Sequence, residues 1–329
     1  MDLGTGFVRH RFRVDGIPTG VCEVPSINAS GTALLLVLQS ENETGGLLEG
    51  VTNLRHRLQL VFDVFAIQDD SLAMGPWWTT PDLSFANGAC VVQTSSAEGR
   101  MQEWLCFCAN WNGNNAIGVP LEVDSWAPSD ARAHSEEPLQ APYRAGCVPV
   151  DGPTFASKFM ERPSDVTVLD WKRGHALDSK GLAVVDFYGG ACHIFRIPTM
   201  TSASAYRLPR ELEYLDSLKP SGRRSALDRP SAVAVDSTRL RQSAESGWGT
   251  LRVLIAETGA QCISIFEVTY PGRCGSLLPW SHLCDICTGD LGTGVCRPLS
   301  SLWSWLGLDV TPAGDILVTD MDQSAMYIV

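Results

Sequence analysis

Positive charge is scarce in this chain, and long apolar runs are missing. Lys and Arg total 25 against 37 Asp plus Glu, a formal net charge of −12 over 329 residues. Binding along a phosphate backbone needs clustered cations, so no nucleic-acid partner is expected, and a basic partner suits the balance better. The longest strongly apolar run is the six residues 33–38. A membrane-crossing helix needs roughly 20, so no membrane span is expected. The opening MDLGTGFVRHRFRVDG has no apolar core of the kind a secretory signal requires. Export by that route is therefore not expected, unless the true start lies upstream. Walker A, G-x-S-x-G, H-E-x-x-H and dinucleotide fingerprints are all missing, which removes the usual local signatures of several enzyme classes.

What is present is the composition of a folded chain, 44% apolar and 19% charged. Eleven cysteines are many for a reducing compartment and too few for a disulfide-built miniprotein. Two sequons, at Asn28 and Asn42, add to the case for an endomembrane or extracellular setting without deciding it. The localisation stays open.

An internal repeat carries the architecture. Three strings, VVDFYGGACHIF from Val184, LIAETGAQCISIF from Leu254 and LVTDMDQSAMYIV from Leu317, share one plan. An acid ends an apolar strand, a short turn follows, and an apolar pair comes eight residues after the acid. The acids are Asp186, Glu257 and Asp320, spaced 71 and 63 residues apart (257 − 186 and 320 − 257). Upstream of each lies a short alternating strand: RPSDVTVLD, ending at Asp170; RPSAVAVDS, containing Asp236; and LGLDVTPAG. The alternation has period 2, so the unit is β: strand, loop, strand, tight turn, strand. Gly189, Gly190 and Gly259 are expected to supply its turn conformations. Weaker copies step back to Asn110 and then Ser40. The units cover about 20–66, 86–122, 160–198, 229–268 and 303–329. Segments such as 67–86, 122–160, 199–228 and 268–302 read as surface insertions, with a short helix expected in RELEYLDSL.

A three- or four-stranded unit cannot bury both faces alone, and radial stacking covers them. The expected fold is therefore an all-β propeller filling 1–329 as one domain. Five blades are readable, a six-bladed ring is favoured, and one blade is unrecognised or incomplete. The elements around the last three acids resemble NHL repeats of the six-bladed TolB-like class, clearly for about 160–329 and weakly before. That resemblance implies a non-catalytic binding module whose inter-blade loops hold a protein or peptide. It also admits an alternative, a gluconolactonase-like or lyase-like enzyme with a divalent metal in the central channel. Only Asp165 among the residues entering the innermost strands is a carboxylate, which favours the binding module.

Local signals are few. Cys284-x-x-Cys287, with Cys274 and Cys296 outside it, has the bite of a zinc knuckle; two disulfides or uncombined thiols are the other readings. No other cofactor is expected, and calcium or zinc are the metals to consider. Cys106 and Cys108 are taken to point to opposite strand faces and not to bond. Trp77, Trp78, Trp303 and Trp305 lie in or beside insertions, where they could form a binding platform or fill gaps between blades. The recurring acids Asp170, Asp186, Asp236, Glu257 and Asp320 are read as structural anchors that accept hydrogen bonds from turn amides. No catalytic residue is assigned.

Overall fold

The computed structural model describes residues 17–24, 33–40, 55–62, 73–79, 86–96, 101–124, 148–150, 160–170, 180–197, 212–221, 224–236, 238, 248–271, 280–287, 306–320 and 325–329. These are almost wholly strand, arranged as antiparallel sheets. Among the described residues no helix is long and apolar enough to cross a membrane. The chain divides into two compact units, one comprising 1–113, 117–149 and 200–209, the other 114–116, 150–199 and 210–329.

In the first unit, β1 (Ile17–Val24), β2 (Ala33–Ser40), β3 (Arg55–Phe62) and β4 (Ala73–Thr79) pair in sequence order. A second sheet there runs β5 (Ala86–Ser96), β6 (Met101–Asn110), β7 (Asn115–Asp124) and β8 (Val148–Val150). The first strands of the two sheets, β1 and β5, lie side by side.

The second unit holds three sheets. The first is β9 (Pro163–Leu169), β10 (Lys180–Asp186), β11 (Ala191–Ile197) and β12 (Glu213–Leu218). The next is β13 (Pro230–Asp236), β14 (Trp248–Glu257), β15 (Cys262–Pro271) and β16 (Ser281–Cys287). The last is three-stranded, β17 (Leu306–Val310), β18 (Ile316–Asp320) and β19 (Ala325–Ile328). Again the first strands are neighbours: β9 lies against β13, and β13 against β17.

Period-2 patterning explains why these sheets cover one another. On the β13–β16 sheet Val233, Leu251, Val253, Ile255, Phe266 and Val268 share a face and pack on Ala183, Val185, Cys192 and Ile194 of the sheet before. The alternate positions Ala232, Leu254, Ala256 and Ile263 pack on Val318 and Leu308 of the sheet after. A strand apolar at nearly every position is thus buried on both sides, as sheets stacked in series require. Each fully buried aliphatic side chain contributes on the order of 1.5–3 kcal/mol.

The fourth strands were not legible as strands. β4, β8, β12 and β16 fall inside segments read above as surface insertions, and RELEYLDSL forms β12 rather than a helix. The side chains from Glu213 to Ser217 on β12 are exposed or half-buried, and only Leu218 is buried. With one mostly polar edge, the segment lacks the apolar alternation that marks the inner strands, and pairing with β11 fixes its conformation instead.

The repeat is visible in the register. Asp186 pairs with Ala191, Glu257 with Cys262 and Asp320 with Ala325, each acid closing its strand before the hairpin turn. On the other side they pair with Pro163, Pro230 and Leu306, and Asn110 pairs likewise with Ala86. The turns 187–190, 258–261 and 111–114 all end in a left-handed residue: Gly190 (φ 62°), Gln261 (φ 55°) and Asn114 (φ 55°). Of the three glycines expected to supply turn conformations, Gly190 alone does so. Gly189 and Gly259 are bare for another reason, since a Cβ there would lie 2.0 Å from the Asp186 carboxylate and 2.1 Å from that of Asp228.

Left-handed backbone costs a non-glycine residue roughly 1–2 kcal/mol. Gln261→Gly should therefore raise the chemical-denaturation stability by about 0.5–1 kcal/mol after the unfolded-state entropy of glycine is counted. Gly190→Ala should lower it by at least as much, because its Cβ would also meet the Leu227 carbonyl at 2.7 Å. Shifts of the same sign in the two variants would contradict this account of the turn.

Candidate functional site

The richest cluster of chemistry-bearing side chains in the described residues lies on one face of the β13–β16 sheet, and the strand register assembles it. Glu257 ends β14, and Cys262 opposite it starts β15. Two residues on, Ser264 returns to the same face and pairs with Asp285 of β16. His282 would ordinarily point away from Asp285, being three residues before it. A β-bulge resolves this: Phe266 pairs with His282 and Ile265 with Cys284, so Leu283 is the extra residue. Histidine and aspartate then share a face. Leu283 is pushed outward and exposed.

A single cation organises the cluster. Arg224, from the segment leading into β13, places Nη1 2.9 Å from Glu257 Oε2 and Nη2 2.7 Å from Asp285 Oδ2. Its Nη2 also reaches Ser264 Oγ at 3.3 Å. The Ser264 hydroxyl lies within hydrogen-bond reach of both carboxylates, donating to Glu257 Oε1 or to Asp285 Oδ1. Glu257 is wholly buried, and its Oε2 also accepts the Asp228 amide at 2.6 Å. A buried carboxylate stripped of such partners would be strongly destabilising. His282 Nε2 is 2.8 Å from Asp285 Oδ1, its Nδ1 is 3.0 Å from Ser221 Oγ, and its ring lies tilted at 48° against Phe266 with centroids 5.1 Å apart. Burial pushes the Asp285 carboxyl up, but hydrogen bonds from Ser264 and His282 and the charge of Arg224 outweigh it and hold the group below its ordinary value.

Ligand atoms of Glu257, Cys262 and Asp285 converge within 4.8 Å of one another, a donor set that zinc could accept. The surroundings fit an ion pair better. Burial, with the charges of Glu257 and Asp285, pushes the Cys262 thiol up to about 12, so it stays protonated. The guanidinium already pairs with one oxygen of each carboxylate that a metal would need. The cysteines expected to hold zinc are placed differently again. Positions 284 and 287 pair with 265 and 262 along regular strand, so they have opposite parity, and the turn of a zinc knuckle is not formed between them. Cys274 and Cys296 lie outside the described residues, as do Trp303 and Trp305. Trp77 and Trp78 belong to β4 rather than to a loop, in register with Gln59 and Leu58.

Amide hydrogen bonds are described for three of the five acids read as anchors: Asp186, Asp236 and Glu257. Asp186 Oδ1 accepts the amides of Glu161 (2.9 Å) and Gly189 (3.1 Å), and Glu257 takes the Asp228 amide in the same way. Asp186 also approaches His193 Nε2 at 3.5 Å. Asp236 Oδ1 accepts the Thr238 amide and hydroxyl at 2.9 and 2.5 Å. Asp170 lies 4.0 Å from Lys180 at the surface, and Asp320 is buried at the end of β18.

In the first unit Cys106 and Cys108 come together, with their sulfurs 3.7 Å apart. The expectation of opposite faces was mistaken, because residues two apart on a strand return to the same side. The contact with Cys108 and full burial raise the Cys106 thiol well above its ordinary value, which marks Cys106 as an inert thiol rather than a reactive one. Cys192 is a core residue. Cys262 borders the polar cluster, with its sulfur 3.8 Å from Glu257 Oε1.

Asp165 links the first strands of two sheets. Its Oδ2 accepts the Val233 amide and its Oδ1 the Val166 amide, both at 2.9 Å. Asp309 repeats the second bond, accepting the Val310 amide at 2.8 Å. Burial pushes the Asp165 carboxyl up to about 7, against the pull of its two amide donors and with a push from Asp309.

No family model matches the chain, and a search of curated proteins finds no match.

The Asp165 environment gives a pH dependence whose sign is fixed. Its folded pKa of about 7 exceeds the ordinary 3.8, so the folded state binds the extra proton between those values. The stability this proton confers is fully present below about 4 and lost as pH rises through about 7. Asp165→Asn removes the titration, so the stability of the variant relative to wild type should improve from about pH 4 to about pH 7 and then level off in urea titrations. A difference that is flat, or that runs the other way, would refute the assignment.

Proposed function

We propose that the chain is an NHL-like β-propeller of the six-bladed TolB-like type that presents its inter-blade connections to a protein or peptide partner. The observation that carries the reading is the repeated geometry. In each unit the first strands of successive sheets are neighbours. In the second unit the sheets cover one another through alternate strand faces, and their corner acids stand in equivalent register. Sheets related in this way leave their connections free of the core, which is how such scaffolds carry recognition. The strands supply stability, and the connections can vary without disturbing it.

The partner's chemistry follows from charge. With a net charge of −12, the protein attracts a Lys- and Arg-rich segment over distance and repels nucleic acid. Complementary charge mainly accelerates encounter and selects partners, while affinity comes from buried contacts. The metal-dependent enzyme alternative gains nothing from the donor set at Glu257, Cys262 and Asp285, because Arg224 already occupies both carboxylates as an ion-pair partner.

Photo-crosslinking of the full chain to a basic peptide library tests this reading. Binding should weaken several-fold between 50 and about 200 mM salt, as exposed charges are screened, and crosslinks should fall in the parts of 122–160, 199–228 and 268–302 that lie outside β8, β12 and β16. Salt-insensitive binding, or crosslinks confined to the strands, would contradict it.

A further inference from the structure

The polar cluster extends to the surface through one residue that the ion-pair network does not need. Ser221 follows β12 and is exposed, with its Oγ 3.0 Å from His282 Nδ1. Its backbone N–H donates to the same nitrogen at 3.3 Å. Nδ1 therefore carries no hydrogen, and its lone pair faces the serine hydroxyl. The ring proton resides on Nε2, 2.8 Å from Asp285 Oδ1. Asp285 is kept ionised by Arg224 at 2.7 Å, and the His282 side chain is only 8% exposed, with its ring against Phe266. The base is thus fixed in orientation and tautomer by the half-buried Asp285 and the buried Phe266, while the hydroxyl it faces is open to solvent.

We propose that Ser221, His282 and Asp285 form a nucleophile–base–orienter relay that transfers acyl groups from carboxylic esters, an activity independent of the binding role above. The arrangement satisfies the two geometric requirements of an activated serine: a hydrogen bond from nucleophile to base, and one from base to a third group that orients it. Ser221 Oγ attacks the ester carbonyl carbon while its proton passes to His282 Nδ1. The bond from that carbon to the alkoxy oxygen breaks, and His282 returns the proton to the departing alcohol. Water then attacks the acyl-serine with the same proton relay, releasing the carboxylic acid and restoring the hydroxyl. Asp285 stays ionised throughout and stabilises the transient imidazolium. The ring is used with Nδ1 toward serine and Nε2 toward aspartate, a consequence of β16 delivering both His282 and Asp285 from one strand.

A serine that merely pins its loop would need only the backbone amide bond to Nδ1, and labelling chemistry separates the two roles. Full-length protein treated with a fluorophosphonate should acquire one adduct, located by peptide mass spectrometry at Ser221, and Ser221→Ala should acquire none. His282→Gln should slow the reaction at least ~100-fold, the usual contribution of a general base. Because Ser221 is exposed, its alanine variant should fold normally, so the decision does not hang on a folded His282 variant. With p-nitrophenyl acetate, wild type should show a pre-steady-state burst of about one nitrophenolate per chain, and Ser221→Ala should show none. No adduct on folded wild type, an adduct at another serine, labelling indifferent to His282→Gln, or equal bursts in wild type and Ser221→Ala would each overturn the proposal.

Discussion

The first two sheets of the second unit depend on a buried carboxylate at the end of the second strand. Asp186 takes the amide of Glu161, and Glu257 that of Asp228, in each case from the segment that enters the sheet's first strand. The bond ties together residues 25 and 29 positions apart in sequence. Around it the main chain repeats its own bonds: Phe187 and Tyr188 donate to Arg162 and Glu161, while Thr258 and Gly259 donate to Arg229 and Asp228. Arg162 and Arg229 are both left-handed there, at φ 67° and 50°. Such a corner replaces water around several buried polar groups at once, and an unsatisfied one would cost about 1–3 kcal/mol.

One change at this corner produces the candidate site. Where the first sheet has Asp186, the next has glutamate, one methylene longer. Glu257 keeps the corner amide with Oε2 and has Oε1 left to meet Ser264. The added reach draws in Arg224, and with it Asp285 and His282. In the first sheet the equivalent strand position to Ser264 holds His193, which approaches Asp186 directly. A repeated structural device and a local chemical cluster are therefore built on the same position, separated by a single side-chain length.

The sequence made the anchors readable, because an acid followed by a tight turn and an apolar pair is a local pattern with a local cause. Inner strands were readable for the same reason, being apolar on both faces. The outer strands were hidden: EYLDSL and SHLCDIC present mixed polarity and acquire their conformation by pairing. His282 and Asp285 were missed more thoroughly. Their i, i+3 spacing on a strand ordinarily separates them, and only the extra residue at Leu283 brings them together. Arg224 gave no signal at all, since its partners are 33 and 61 residues away. The CxxC spacing misled in the opposite sense, because two-residue separation suggests a knuckle only where the chain turns.

The most direct test of the corner bond is native-state amide exchange at Glu161 and Asp228. Both amides precede a first strand and would exchange at loop rates if they met only solvent. If each is held by a buried carboxylate, both should exchange no faster than core amides of β10 and β14, and Asp186→Ala should release Glu161 while leaving Asp228 protected. Rapid exchange of both amides in the wild-type protein would contradict the account.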